Sequence, residues 1–359
     1  MTVRPNQFRL ASAIREPGEL RDGRWRTFEP VAPVERELRG KRLLLRPGLT
    51  FTPYANPTPC NAHGSFCSEE LMRLDAERLS AKTVIGDFDR YFDGLARAWS
   101  ELAGFPMGLS LSGLEATAHP EWLLRLLTLV QTHGALFPER VLYTNGSGLC
   151  TDPRLVPALA AAAFTRVELS RCHFDEVINH RVMRFDHGQP IRQRAAFEET
   201  IHRILKSGLG LKLVCILNAQ AVSTLAQVEA YLDDAEALGV TQVVFRSLSE
   251  LGDVYRDNRE TRWIARHRVN TRALLDEVMT DQLVTRAGWT FVGMTAGYYY
   301  SNEVYRRGAV EVVIESASYV AHHEGVQRGV LQKLVFHSTG DLCGDWVPNA
   351  QVVGNYFSP

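Results

Sequence analysis

The chain has 359 residues, of which 45% are hydrophobic and 23% are charged, and its formal net charge is −1. This composition can bury a large core, and it excludes disorder over the whole chain because low hydrophobicity is not combined with high net charge. The balance of 40 basic and 41 acidic side chains builds no strong global field, so a partner nucleic acid is not expected. Six cysteines are too few for a disulfide-framed secreted scaffold.

The beginning of the chain carries no visible targeting or membrane segment. The first ten residues lack the apolar stretch of a signal peptide, and the apolar run 155–164 is far shorter than the ~20 residues of a membrane span. We therefore expect a soluble, cytoplasmic protein without a membrane partner. Residues 1–40 are charged, contain four prolines and show no sustained hydrophobic period, and we interpret them as an N-terminal extension.

From residue 41 to residue 250, apolar runs of strand length alternate with helix-like segments, a pattern typical of parallel βα units. The predicted strands are Leu43–Leu45, Gly108–Ser112, Arg140–Thr144, Val167–Ser170, Leu211–Leu217 and Thr241–Arg246. The predicted helices cover 89–102, 121–133, 155–163, 193–207 and 225–238. Because about six units are too few for a complete eight-unit barrel, we predict an α/β fold with a partial (β/α)6 TIM-like barrel.

The alternation of strand-like and helix-like segments ends near residue 250. The segment 256–272 is charged and is predicted to be helical at its end. Segments 311–315 and 331–337 are predicted strands, and the second leads into a hairpin-like turn at 338–341. We interpret residues 251–359 as a C-terminal α+β extension that packs on the open side of the barrel and covers the substrate.

The loop after the first predicted strand contains Cys60, His63 and Cys67 within eight residues. Soft thiolates suit zinc or iron–sulfur centres. This loop resembles the cluster loop of the radical SAM superfamily, whose three cysteines are spaced Cys-x3-Cys-x2-Cys with an aromatic residue before the last. Cys60 and Cys67 match the first and third cysteines, and Phe66 matches the aromatic position. Gly64 stands at the middle position and has no side chain to bind iron.

The ligand that would replace the middle cysteine is open to three interpretations. His63, one residue out of register, supplies a Cys-x2-His-x3-Cys set; a distant group completes the site; or the chain holds a cluster poorly or not at all. Two ordinary thiols and a zinc site are further alternatives, although no fourth zinc ligand or general base is recognisable in the sequence.

The segment after the second predicted strand also resembles this superfamily. Ser112, Gly113, Leu114 and Glu115 stand where the family has a Gly-Gly-Glu-Pro segment, with Leu114 in place of the second glycine. The resemblance implies that Gly113 lets backbone carbonyls approach the ammonium of the bound methionine part, and that Glu115 fixes that ammonium. Taken alone, Glu115 is better explained as an acid at a helix N-terminus.

The ends of the later strands carry the remaining candidates: Thr144 and Asn145, Ser170, Asn218 and Arg246. The resemblance implies that Thr144 approaches the cofactor and that Ser170 binds the ribose or the methionine carboxylate. Asn218 and Arg246 are expected to point into the carboxyl-end mouth, where parallel βα folds bind ligands. Asn218 is equally explained as the cap of a turn, and Asn145 as part of an Asn-Gly turn. Arg246 needs an anionic partner, either a ligand carboxylate or an internal acid.

The resemblance implies an oxidoreductase that binds S-adenosyl-L-methionine and a [4Fe–4S] cluster. Such an enzyme cleaves S-adenosylmethionine to a 5′-deoxyadenosyl radical, which abstracts hydrogen from a small-molecule substrate. An electron donor such as flavodoxin or ferredoxin is the implied partner, and natural-product or cofactor biosynthesis is the expected context. Two alternatives stay open. One is a degenerate member that binds S-adenosylmethionine or a nucleotide without radical chemistry; the other is a modifier of RNA or peptide, which only the arginine-rich segment 254–272 favours.

Overall fold

The computed structural model describes most of the chain. The described residues are 17–21, 24–29, 31–68, 71, 84–249, 251, 255, 257–281, 284–297, 299–320, 322 and 329–357. The strands are β1 Gly18–Arg21, β2 Arg24–Thr27, β3 Val34–Leu38, β4 Lys41–Tyr54, β5 Gly108–Leu111, β6 Glu139–Thr144, β7 Arg166–Ser170, β8 Gly210–Leu217, β9 Gln242–Ser247, β10 Met279–Asp281, β11 Val284–Thr285, β12 Trp289–Ala296, β13 Tyr300–Arg307, β14 Val310–Ala317, β15 Val330–His337, β16 Asp341–Cys343 and β17 Val352–Asn355.

Helices follow most of the strands in the first two thirds of the chain. They are α1 Phe88–Glu101, α2 Pro120–Thr132, α3 Ser147–Thr151, α4 Leu155–Ala161, α5 Glu176–Met183, α6 Arg194–Lys206, α7 Leu225–Ala237, α8 Arg259–His267 and α9 Thr271–Val278. None of the helices described by the structure combines the length and the apolar character needed to span a bilayer.

Strands β4 to β9 form the centre of the sheet. Each pairs in parallel with the next in chain order, and helices connect them. This arrangement confirms the predicted α/β class and the partial (β/α)6 TIM-like barrel. The six predicted strands and the five predicted helices are all present, with ends that differ by a few residues except in β4.

Strand β4 is much longer than the three residues predicted for it. Its first half pairs with β3 in antiparallel fashion, and its second half lies between β15 and β5 in parallel. The register to β15 shifts between Leu331 and Lys333, opposite the segment 46–49, which contains Pro47 and the left-handed Gly48 at φ +72°. The bulge lets the strand continue past this proline, which has no N–H to donate to the sheet.

The C-terminal part of the chain extends the sheet at both edges. Strand β14 pairs in parallel with β9, and β15 pairs in parallel with β4. Antiparallel strands β13, β12, β1 and β2 continue beyond β14, and β16 and β17 continue beyond β15. Within the described residues no pairing joins β14 to β15, so a seam separates these two parallel strands.

The two faces of the parallel strands pack differently. The outer face contributes to a large apolar core with the helices, in which Phe51 of β4 lies 5.9 Å from Trp99 of α1 and 6.1 Å from Phe137, measured between ring centroids. On the inner face a small separate cluster contains Val214, Val244 and Val313 from β8, β9 and β14. The main apolar stabilisation therefore lies between sheet and helices.

We expect Phe51→Ala to lower the free energy of unfolding by about 3–5 kcal/mol, because Phe51 is fully buried and its removal leaves a cavity between Trp99 and Phe137. Phe28→Ala is the matched control, since Phe28 is 47% exposed, and it should change stability by less than about 0.5 kcal/mol. Urea denaturation followed by circular dichroism measures both. Equal losses would contradict this location of the core.

Candidate functional site

A buried carboxylate, Glu115, lies at the carboxyl ends of β5 and β6. Its Oε1 accepts hydrogen bonds from the backbone N–H of Thr117 at 3.0 Å and from the hydroxyls of Thr117 at 2.5 Å and Thr144 at 2.6 Å. Its Oε2 accepts the backbone N–H of Asn145 at 2.6 Å. Burial raises the pKa of the Glu115 carboxyl, and these four hydrogen bonds oppose that shift. The carboxylate thus joins the loop after β5 to the loop after β6.

The cysteine-containing loop is attached to the same centre. The Asn56 side-chain Nδ2 donates to the carbonyl oxygen of Glu115 at 2.6 Å. Asn61, next to Cys60 in sequence, accepts on Oδ1 from Asn145 Nδ2 at 2.9 Å and from Ser147 Oγ at 3.1 Å. Three loops that are far apart in sequence therefore meet at one edge of the barrel.

A second contact fixes the other side of the cysteine loop. The backbone N–H of His63 donates to the carbonyl of Arg184, and that of Ser65 donates to the carbonyl of Val182, each at 3.0 Å. The backbone N–H of Asp186 donates to the carbonyl of Asn61, also at 3.0 Å. Segments 61–65 and 182–186 thus run antiparallel, and backbone hydrogen bonds between them hold the loop.

Cys60 and Cys67 are half-buried cysteines in this loop, and no disulfide joins them. Burial raises the pKa of Cys60 to about 12, and the neighbouring Glu115 carboxylate acts in the same direction. Both thiols would have to lose their protons to bind a metal ion.

His63 does not point its imidazole toward a cluster of ligands. Its Nε2 lies 3.0 Å from Oδ1 of Asp186, and both side chains are largely exposed. Across the described ranges, no three His, Cys, Asp or Glu side chains are grouped so that they could hold a metal ion. His63 as the third ligand therefore stays a prediction, and in this structure its imidazole is paired with Asp186.

Gly64, at the middle position of the motif, lies under an aromatic ring. A Cβ added to Gly64 would lie 3.3 to 3.6 Å from three ring atoms of Phe66. Phe66 therefore covers the space where a side chain at this position would begin. Two thiols suit iron chemically, but the described residues offer no third ligand. A third protein ligand for a [4Fe–4S] cluster would therefore come from outside the described residues.

Gly113 is required by the packing of its loop. Its φ is +100°, and an added Cβ would lie 2.0 Å from the ring of Tyr54. The neighbouring Ser112 exchanges a hydrogen bond of 2.8 Å with Ser110 and lines a shallow pocket with Tyr54 and Asn56. The glycine thus brings backbone close to the wall of the barrel mouth.

Three further candidates lie at the ends of other strands. Ser170 is half-buried at the end of β7. Asn218 is fully buried; it donates to the carbonyl of Ile216 at 2.8 Å and accepts the N–H of Gln220 at 3.0 Å, as the turn interpretation predicts. Arg246 pairs with an internal acid through Nε to Glu315 Oε1 at 2.5 Å and Nη2 to Oε2 at 3.3 Å.

Several residues of this centre were not singled out from the sequence: Asn61, Thr117, Asp186 and Glu315. The Glu-x-Thr spacing of Glu115 and Thr117 was a local signal for a capped turn, and the structure indeed has Glu115 at the N-cap of a short 3-10 helix, Ala116–Ala118. Asp186 and Glu315 gave no signal, because their partners lie 123 and 69 residues away.

Three solved structures are similar to this chain to different degrees. Native anSMEcpe with bound AdoMet matches at 14% identity and a TM-score of 0.50, covering 86% of this chain and 78% of that chain. Streptococcus suis SuiB matches at 12% identity and a TM-score of 0.49, covering 88% of this chain and 65% of that chain, so this chain spans just under two thirds of SuiB. The radical S-adenosylmethionine methyltransferase TsrM from Kitasatospora setae, with cobalamin and a [4Fe–4S] cluster bound, matches at 14% identity and a TM-score of 0.42, covering 68% and 42%.

No protein-family model matches the chain, and no curated protein sequence matches it. At 14% identity, the similarity to anSMEcpe shows a shared fold, which is the partial barrel described above.

We expect Glu115→Gln to lower the free energy of unfolding by about 1–3 kcal/mol, because an amide NH2 in place of one oxygen would face a backbone N–H of Thr117 or Asn145. Glu121→Gln is the matched control, since Glu121 forms an exposed ion pair with Arg154 at 2.7 Å. Urea denaturation measures both variants. If Glu115→Gln is as stable as the control, this carboxylate does not hold the loops together.

Proposed function

We propose that this chain is a radical SAM enzyme that binds S-adenosylmethionine at the carboxyl edge of its barrel and acts on a small-molecule substrate. One observation carries the proposal: the loops 60–67, 112–115 and 144–145, which resemble superfamily motifs, lie together. Thr144 and Asn145 donate hydrogen bonds to Glu115, and Asn145 also donates to Asn61 of the cysteine loop. The fold shared with AdoMet-bound anSMEcpe supports the same assignment. The near-neutral net charge favours a small substrate over RNA.

In this proposal the residues of the barrel mouth have different roles. Gly113 and Ser112 present backbone to the methionine part of the ligand, and Ser170 lies across the mouth at the end of β7. Glu115, whose oxygens already accept four hydrogen bonds, is a positioning residue that holds Thr144 and Asn145 in place. An electron donor such as flavodoxin or ferredoxin is part of the proposed reaction.

The proposal depends on Cys60 and Cys67 for any iron that this chain binds. Cys60 and Cys67 would be two ligands of a [4Fe–4S] cluster, which would supply the electron for cleavage of S-adenosylmethionine. If three protein ligands hold the cluster, the third comes from outside the described residues, because within them no third His, Cys, Asp or Glu is grouped with the two cysteines.

A second candidate function is binding of S-adenosylmethionine or a nucleotide without radical chemistry. The specific observation in its favour is the cysteine loop itself, where Phe66 covers Gly64 and His63 is bonded to Asp186. In this case the loop is held by its backbone contacts to residues 182–186 and needs no metal to keep its shape.

Anaerobic reconstitution with iron and sulfide distinguishes the two candidates. If the chain is a radical SAM enzyme, we expect at least about three irons per chain and release of 5′-deoxyadenosine when the protein is reduced in the presence of S-adenosylmethionine. Both should be lost in Cys60→Ser and Cys67→Ser. Cys150→Ser is the matched control, because Cys150 is a half-buried thiol outside the loop. Fewer irons and no deoxyadenosine, with S-adenosylmethionine still bound in calorimetry, support the second candidate. Absence of both iron and S-adenosylmethionine binding contradicts both.

We expect His63→Ala to keep the iron content of the wild-type chain, because its imidazole is engaged by Asp186 at 3.0 Å. Iron per chain after reconstitution is the readout, and Asp186→Ala is the companion variant. A loss of iron in His63→Ala but not in Asp186→Ala would mean that His63 leaves Asp186 to become a ligand.

A further inference from the structure

Helix α8 is fixed on the rim of the barrel mouth. The carbonyl of its last residue, His267, accepts the backbone N–H of Ala219 at 3.0 Å, and Trp263 Nε1 donates to Gln220 Oε1 at 3.2 Å. Ala219 and Gln220 lie just after β8, so both contacts are at the carboxyl end of the parallel strands. Ile264 is buried and anchors the helix in the main apolar core.

An ion pair joins α8 to the segment that holds the cysteine loop. Arg184 Nη1 lies 3.3 Å from Oε1 of Glu260, which is in the first turn of α8. Residues 182–186 are the segment whose backbone is hydrogen-bonded to residues 61–65. One segment of chain therefore connects α8 with the cysteine loop.

The side of α8 opposite Ile264 carries three arginines. Arg259, Arg262 and Arg266 are spaced i, i+3 and i+7, which brings them to one helix face over a length of about 10 Å. All three are exposed, whereas Ile264 is buried. These three residues form the arginine stripe of α8.

The arginine stripe lies in a segment with a surplus of positive charge. The described segment 257–270 contains four arginines and two acids, whereas the whole chain has a net charge of −1. Both acids are already in ion pairs, Asp257 with Arg262 at 3.7 Å and Glu260 with Arg184 at 3.3 Å. Among the described residues, no acid lies within ion-pair distance of the remaining arginines of the segment: Arg259, Arg266 and Arg268.

We propose that the arginine stripe is the docking surface for an acidic patch of the protein that donates electrons to this chain. This inference rests on the proposed function and adds to it the place where the donor binds. Exposed charges of opposite sign steer two proteins together and fix their orientation without a large apolar interface. Transient redox complexes have some of the smallest protein–protein interfaces, and a short charged stripe suits them.

The position and the length of the stripe favour an electron donor over RNA. Electron transfer between proteins slows steeply with distance, so a donor has to dock close to the cysteine loop, and the stripe lies beside the segment that holds this loop. Binding of a nucleic-acid strand uses a basic groove that follows several phosphates. A stripe of about 10 Å on a chain of net charge −1 matches a compact acidic patch better than a phosphate backbone.

Calorimetric titration with acidic bacterial flavodoxin, and in parallel with acidic bacterial ferredoxin, tests the proposal. The full chain, reconstituted with iron and sulfide, is the binding partner. We expect one of the two probes to bind in about 50 mM NaCl and to bind at least about 5-fold more weakly in about 300 mM NaCl, because salt screens exposed charges. If neither probe binds at the lower salt concentration, the proposal is wrong.

A matched pair of double variants locates the binding surface. Arg259→Gln/Arg266→Gln should weaken binding of the donor at low salt by at least about 5-fold. Lys206→Gln/Arg306→Gln removes the same two positive charges from exposed positions on α6 and β13, and it should bind the donor as the wild-type chain does. Equal weakening in both variants would indicate a general effect of charge and would overturn the proposal. An RNA oligonucleotide that loses affinity for the arginine variant, while donor binding is unchanged, would overturn it as well.

A kinetic measurement separates this inference from the proposed function. Dithionite reduces the protein without a docking surface, whereas reduced flavodoxin has to bind first. We expect Arg259→Gln/Arg266→Gln to release 5′-deoxyadenosine as the wild-type chain does with dithionite, and at least about 5-fold more slowly with limiting flavodoxin. No deoxyadenosine from the wild-type chain with dithionite would contradict the proposed function, and the titrations would still judge the arginine stripe. Equal rates of the two chains with flavodoxin would contradict the docking surface alone.

Discussion

A carboxylate that is removed from water loses its hydration and has to find donors inside the protein. Glu115, 3% exposed, finds them in two backbone N–H groups and two hydroxyls. These donors belong to two loops, so the loops cannot move apart without leaving a buried charge unsatisfied. Through Asn56 and Asn61 the same constraint reaches the cysteine loop. The carboxyl edge of the barrel is therefore arranged by internal hydrogen bonds.

Other charged side chains of the barrel also have partners that lie far away in sequence and that the fold brings close. Arg246 and Glu315 lie opposite each other in the parallel register of β9 and β14 and form a two-point ion pair. At the seam, where the described strands β14 and β15 do not pair, Lys333 and Asp345 lie among aromatic rings. Polar side chains thus lie at the seam of this unclosed parallel sheet, while the valines of β8, β9 and β14 form an apolar cluster on the inner face.

The sequence predicted the central strands well, because buried parallel strands and amphipathic helices have distinct hydrophobic periods. The sequence did not predict features that depend on a residue or strand far away in the chain. The length of β4 depends on β15, which joins it from nearly 300 residues along the chain. The sequence predicted that Arg246 needs an anionic partner. That this partner is Glu315 follows from the pairing of β9 with β14, which the sequence does not reveal. Likewise, the direction of His63 depends on Asp186, and no local pattern reveals that pairing.

The same carboxylate that organises the site also acts on the thiol next to it. The charge of Glu115 adds to burial in raising the pKa of Cys60, so at neutral pH this cysteine keeps its proton while no cation is near. A cation at the loop would act in the opposite sense and favour the thiolate. Glu115 cannot move away from Cys60 and so reduce its effect on the Cys60 pKa, because two backbone N–H groups fix its oxygens. The arrangement of the barrel mouth and the protonation of Cys60 are therefore coupled through the Glu115 side chain. A metal ion bound at Cys60 would stabilise the negative charge of Glu115, which holds the neighbouring loops together.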